Sequence, residues 1–183
     1  GWSDFFTLVT TVSADDAANR IRTIGSFAAQ QNPDASGIRR SPYSPDPAVN
    51  SQTYHDVIGT TAPHPLGEVW AATLWELYWA LVDEYGFDED LVHGEGGNNI
   101  AVQLVMDGMK LQACDPGFLD GRDGILAADE ATYGGANRCI IWQVFANRGL
   151  GFEASQGENT NRNDGVESYR TQPDCIKELK IAK

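Results

Sequence analysis

The stretch GEVWAATLWELYWALVDEY, residues 67–85, determines the fold class of this chain. Its apolar residues recur at steps of three and four, and Trp75 and Trp79 widen the apolar stripe. This pattern predicts a helix that is buried on most of its sides, and Gly86 supplies its C-terminal stop. Tryptophans at helical spacing in an apolar run favour core packing over a platform that stacks on sugars.

The same periodicity predicts four further helices, over residues 2–12, 99–111, 116–131 and 136–147. Helices joined by short connectors predict a mainly α fold, arranged as a helical bundle. We interpret residues 1–183 as one helical lobe. Its parts are a truncated first helix (1–12), a long ordered loop rich in Pro, Ser, Asp and Asn (32–65), a helical core (66–150) and an irregular tail (151–183).

Charge and hydropathy exclude two classes of partner. The chain carries 13 Lys and Arg against 26 Asp and Glu, a net charge of -13. Such a charge repels phosphate backbones and anionic membrane surfaces, so we expect neither nucleic acid nor membrane as a partner. A membrane-spanning helix needs about 18 or more consecutive apolar residues, and the sequence has no such run.

Three cysteines are too few for a disulfide framework. We predict a disulfide between Cys114 and Cys139, because each lies at the edge of a predicted helix and a hairpin between them would bring the two together. Cys175 is then the odd thiol, either free or bonded to a cysteine outside this sequence.

Five segments resemble, in order, the C-terminal portion of the fungalysin metallopeptidases: GWSDFF (1–6), GIRRSPYS (37–44), PHPLGEVWAATLWEL (63–77), QLVMDGMKLQACDPGFLDGRDGIL (103–126) and GGANRCIIWQVFANRGLG (134–151). The resemblance implies a secreted, thermolysin-like zinc metalloendopeptidase that hydrolyses internal bonds of proteins or peptides. Its active site would lie in a cleft between an upstream lobe and this helical lobe.

In that family, zinc is held by the two histidines of H-E-x-x-H and by the glutamate of E-G-W-S-D. None of His55, His64 and His93 begins an H-E-x-x-H motif, and Gly1 follows the position of that glutamate. The resemblance therefore implies zinc in the parent enzyme, no metal in this chain, and no catalysis by this chain without the upstream H-E-x-x-H lobe. Calcium stays open without an assigned site, since we interpret the segment at 120–130 as a capped helix rather than a calcium loop.

The resemblance assigns roles to three residues of this chain. Asp4 closes the G-W-S-D motif and would orient a zinc-bound histidine. His64 would donate a hydrogen bond to the oxyanion as water attacks the peptide carbonyl. Arg39 would bind a substrate carbonyl oxygen and support the glutamate ligand, although Arg40 beside it leaves the register open.

Three acidic residues of the central helix, Glu68, Glu76 and Asp83, fit the solvated face of that helix. Glu68 follows His64 closely, so a supporting role near the cleft stays open for it. Two other functions also stay open: a stand-alone secreted binding or defence protein, lectin-like or cytotoxic, and an inert degradation remnant.

Overall fold

The computed structural model describes residues 1–32, 37–158 and 160–176. Its helices are α1 (Trp2–Val9), α2 (Pro63–Tyr85), α3 (Gly97–Leu111), α4 (Phe118–Tyr133) and α5 (Arg138–Asn147), with a short 3-10 helix at Tyr54–Val57. Extended pairing over the described ranges is limited to isolated bridges. The prediction of a mainly α fold is confirmed.

Helix α2 is the centre of the fold, and α1, α3 and α5 pack against it. Trp75 is fully buried, and Trp70 and Trp79 are 7% and 8% exposed. Each large apolar side chain buried in this way stabilises the fold by about 1.5–3 kcal/mol. The prediction that these tryptophans belong to the core is confirmed.

Helix α2 begins four residues earlier than the sequence pattern predicts. Pro63 and Pro65 lie in its first turn, where backbone N–H groups have no partner within the helix and proline is tolerated. Helix α1 is shorter than predicted and ends at Val9. There the hydroxyls of Thr10 and Thr11 bond back to carbonyls of the preceding turn.

Glycines allow the helices after α2 to approach closely. A methyl group on Gly97 would lie 2.0 Å from the carbonyl oxygen of Leu81, and one on Gly124 would lie 2.7 Å from that of Gly108. The segment at 120–130 lies within α4, and Asp120 caps that helix by accepting from the N–H of Gly117. The prediction of a capped helix over this segment is therefore confirmed.

A buried guanidinium anchors the part of the long loop at 44–52. Arg148, at the end of α5, donates to the main-chain oxygens of Ser44, Asn50 and Gln52. The tail folds back on the end of α5, since the N–H of Gly151 donates to the oxygen of Ser168 at 2.7 Å. The parts of the predicted loop and tail at 33–36, 159 and 177–183 lie outside the described residues.

The predicted disulfide is wrong. Cys139 pairs with Cys175, with their Cα atoms 5.1 Å apart, and Cys114 is a free, exposed thiol. Instead of the expected hairpin, the segment between 114 and 139 contains the 16-residue helix α4. At 1.5 Å per residue this helix is about 24 Å long, so it carries the two cysteines apart.

The prediction of a solvated acidic face on α2 is wrong for two of its three residues. Glu68 is 3% exposed, and the Glu76 side chain is 12% exposed and paired with Arg148. Asp83 is exposed, as predicted. None of the helices in the described ranges is both long and apolar enough to cross a membrane.

Candidate functional site

Two of the three residues singled out by the sequence are bonded to each other. Asp4 lies on the buried side of α1 beside Phe5, and only 5% of it is exposed. The Arg39 guanidinium binds its carboxylate through two parallel bonds, Nε to Oδ2 at 2.7 Å and Nη2 to Oδ1 at 2.8 Å. The fully buried Tyr43 donates its hydroxyl to Oδ2 at 2.6 Å. The loop segment 37–44 is thus tied to α1 through one carboxylate.

The electrostatics of this cluster keep both charges in place. Burial opposes ionisation of Asp4, but the hydrogen bonds from Arg39 and Tyr43 outweigh it, so the pKa of the Asp4 carboxyl lies below its ordinary value. The hydrogen bond to Asp4 raises the pKa of the Arg39 guanidinium. Burial, together with the bond to Asp4, raises the pKa of the Tyr43 hydroxyl well above its ordinary value. Asp4 is therefore a carboxylate and Tyr43 a neutral donor at neutral pH.

Both members of the pair keep capacity for a further partner. A carboxylate offers about four lone-pair sites, and Arg39 and Tyr43 occupy three of those on Asp4. A guanidinium carries five N–H donors, of which Asp4 takes two, so at most three remain. Asp4 can therefore accept from one more donor, and Arg39 can donate to a carbonyl oxygen.

His64 lies in the first turn of α2 and is exposed to solvent. No hydrogen bond to its ring comes from the described residues, so its donor is available to a ligand. Arg40 connects this turn to Arg39, because its Nη2 donates to the carbonyl oxygen of Pro65 at 3.2 Å. The start of α1 meets the same turn, since a methyl group on Gly1 would lie 2.7 Å from the oxygen of Gly67. The structure therefore joins Asp4 and Arg39 in one bonded cluster, and the neighbouring Arg40 links this cluster to the first turn of α2, in which His64 lies.

Glu68, for which the sequence leaves a supporting role near the cleft open, is buried at this site. It pairs with Arg40, whose Nε lies 2.8 Å from Oε2. The sequence signal for such a role is its spacing, since Glu68 follows His64 by one helical turn and therefore lies on the same face of α2. Its side-chain partners, Arg40 and Gln52, lie in the long loop. A loop has no helical periodicity from which such a contact could be predicted.

A cavity of about 250 Å³ opens beside the same turn of α2. Its lining is largely apolar, aromatic or glycine and includes Trp2, Leu66, Trp70 and Phe118. A larger cavity, of about 720 Å³, lies between the C-terminal half of α2 and α5. Neither of these two cavities is lined by Asp4, Arg39 or His64.

The described residues do not form a metal centre. No group of three or more His, Cys, Asp or Glu side chains is placed to hold an ion within 1–32, 37–158 and 160–176. His55, His64 and His93 are all exposed. The donor set of this chain alone therefore does not fit a zinc ion.

Comparison with known sequences gives the context for this geometry. Residues 1–154 match the family described as fungalysin metallopeptidase (M36). The chain is 38% identical over 181 residues to extracellular metalloproteinase 2 of Trichophyton tonsurans. The matched region is 96% of this chain and 27% of that protein. It is 40% identical over 173 residues to an extracellular metalloproteinase of Pyrenophora tritici-repentis, covering 90% of this chain and 26% of that protein.

A third relative, extracellular metalloproteinase MEP of Pyricularia oryzae, is 43% identical over 159 residues, covering 82% of this chain and 24% of its own length. The chain thus spans about a quarter of the length of the curated relatives it matches.

Proposed function

This chain belongs to the fungalysin metallopeptidase family, and we propose that it is the C-terminal portion of a secreted zinc metalloendopeptidase that hydrolyses internal peptide bonds. The observation that carries the proposal is the buried Asp4–Arg39 pair, which the neighbouring Arg40 links to the first turn of α2, where His64 lies. The relatives, which are named extracellular metalloproteinases, support secretion.

The family implies zinc, and the described residues of this chain do not fit it. We therefore assign the zinc ligands to an upstream lobe carrying H-E-x-x-H, which this chain requires as its partner. Relatives about four times as long leave room for such a lobe. The isolated chain is accordingly proposed to be inactive.

Each of the three residues has a role that its surroundings support. Asp4 has capacity for one further donor and is proposed to accept a hydrogen bond from a histidine of the upstream lobe. Arg39 has N–H groups to which none of the described residues is bonded, and it is proposed to bind a carbonyl oxygen of the peptide substrate. His64 has an exposed ring at the start of α2, and it is proposed to donate to the developing oxyanion.

The test uses the longer polypeptide that contains the H-E-x-x-H lobe, assayed on an internally quenched peptide. His64→Ala should lower kcat by roughly 10²–10³-fold, the usual cost of losing one oxyanion donor. His55→Ala is the matched control, because His55 is also an exposed histidine, and it should stay within twofold of the unaltered enzyme. An unchanged kcat in His64→Ala would remove the proposed role of His64. A 183-residue chain that cleaves the peptide alone would remove the requirement for an upstream lobe.

No described contact favours the stand-alone binding function. The tryptophans that a sugar platform would use are buried in the core.

A further inference from the structure

Glu68 holds three donors with one buried carboxylate. Its Oε1 accepts from the main-chain N–H of Arg40 at 3.0 Å. Its Oε2 accepts from Arg40 Nε at 2.8 Å and from Gln52 Nε2 at 3.1 Å. Its side chain is 3% exposed, whereas that of Arg40 is 47% exposed. The carboxylate is therefore the fixed, buried element of the cluster.

The bond to the main chain of Arg40 matters most for the candidate site. The Arg40 N–H belongs to the same peptide unit as the carbonyl of Arg39, so this bond fixes the main chain of Arg39 directly. Glu68 is itself held by α2, one helical turn after His64. A short path of bonds therefore runs from the helix of His64 to the main chain of Arg39.

We propose that Glu68 is a positioning residue that fixes Arg39 relative to His64, and this inference rests on the roles proposed above for those two residues. Arg39 comes from a loop, and its side-chain bond to Asp4 fixes only its guanidinium end. Glu68 fixes its main-chain end and sets its distance from α2. Misplacing a catalytic group by about 1 Å can cost on the order of 10²-fold in rate.

The chain offers a matched control on the same helix. Glu76 is also a largely buried glutamate, with Oε2 2.5 Å from Arg148 Nε and Oε1 accepting from Asn147 at 2.8 Å. It lies eight residues after Glu68, about 12 Å along the helix axis. Glu68→Gln and Glu76→Gln each remove one buried charge without changing side-chain size. An amide at position 68 cannot accept from all three donors, because one of its two terminal atoms is itself a donor.

The first measurement is made on the 183-residue chain by NMR. Glu68→Gln should speed hydrogen exchange of the Arg40 main-chain amide by about tenfold or more and shift the Arg39 Nε–H resonance. Glu76→Gln should lower the melting temperature comparably and leave both signals unchanged. If the two signals respond equally to both variants, or to neither, the inference is overturned. Should Glu68→Gln fail to fold, Glu68→Asp takes its place, since it keeps the charge but shortens the reach by one methylene.

The second measurement is made on the longer polypeptide with the quenched peptide. Glu68→Gln should lower kcat about 10- to 100-fold and change KM less than threefold, whereas Glu76→Gln should stay within twofold. In an Arg39→Ala background, Glu68→Gln should have less than a twofold further effect, because both act through the same group. A full, multiplicative loss in that background, or equal losses for the two glutamates, would overturn the inference. If Arg39→Ala leaves kcat/KM unchanged, the role proposed for Arg39 fails instead, and the NMR comparison still decides whether Glu68 positions it.

Discussion

Replacing Arg39 by alanine should destabilise the 183-residue chain, because it leaves a buried carboxylate with one donor. Asp4 is 5% exposed, and without the guanidinium only the Tyr43 hydroxyl still donates to it. Breaking a buried ion pair in this way costs about 3–5 kcal/mol. The Arg39 side chain is 15% exposed, so water can reach part of the vacated space, and we expect the lower end, about 3 kcal/mol. For a chain of this size the melting temperature should fall by roughly 6–12 °C.

A double-mutant cycle separates the pair from its surroundings. The double variant, Asp4→Asn with Arg39→Ala, has neither charge, so no uncompensated carboxylate remains. Its loss of stability should be smaller than the sum of the two single losses by about 1.5 kcal/mol or more. Free energies of unfolding are measured by urea titration at pH 7, followed by tryptophan fluorescence and by circular dichroism. Asp107→Asn is the control, since Asp107 pairs with the exposed Lys110, and it should change stability by less than about 0.5 kcal/mol. Additive single losses, or an Arg39→Ala chain as stable as the parent, would refute the reasoning.

Three more predictions concern the isolated chain. Folding lowers the pKa of the Asp4 carboxyl from 3.8, so its stabilising contribution is complete above about pH 5 and is lost as the pH falls through the folded value. Urea midpoints measured from pH 7 to pH 2 should therefore show a smaller acid loss in Asp4→Asn. Cys175→Ser removes a disulfide with a sequence separation of 36 and should lower the free energy of unfolding by roughly 4 kcal/mol. Cys114→Ser should leave it unchanged in the same titration. Equal losses of stability in the two variants would contradict the pairing. Gly97→Ala places a methyl group 2.0 Å from the Leu81 oxygen. It should lower stability by about 1–3 kcal/mol despite the better helix propensity of alanine. A higher melting temperature would show that α2 and α3 can move apart at little cost.

The sequence was sufficient to predict the helices, because a buried helix imposes its period on the apolar residues. It was less informative at helix ends, where a proline can either stop a helix or begin one. The sequence pattern places Pro63 and Pro65 in the loop, whereas the structure places both in the first turn of α2. A proline in a first turn removes no helical hydrogen bond, so the apolar pattern contains no sign of the true start.

Long-range pairings were the part that the sequence could not supply. Cys139 bonds to Cys175 across 36 residues, and Glu68 meets Arg40 and Gln52 from across the long loop. Local spacing predicts which residues share a helix face, but it does not say which loop covers that face. The spacing therefore predicts that Glu68 and Glu76 are solvated, although each forms a salt bridge with an arginine distant in the sequence.

Stability and site geometry are coupled differently at the three residues that the sequence singled out. The bonds that hold Arg39 and Asp4 in place are buried and also fix segment 37–44 to α1, so we expect substitutions of either residue to change stability as well as the site. His64 is exposed in the first turn of α2 and receives no such bond from the described residues. Its replacement should leave the melting temperature unchanged. A loss of activity in His64→Ala can therefore be read as chemistry, whereas a loss in Arg39→Ala must first be separated from unfolding.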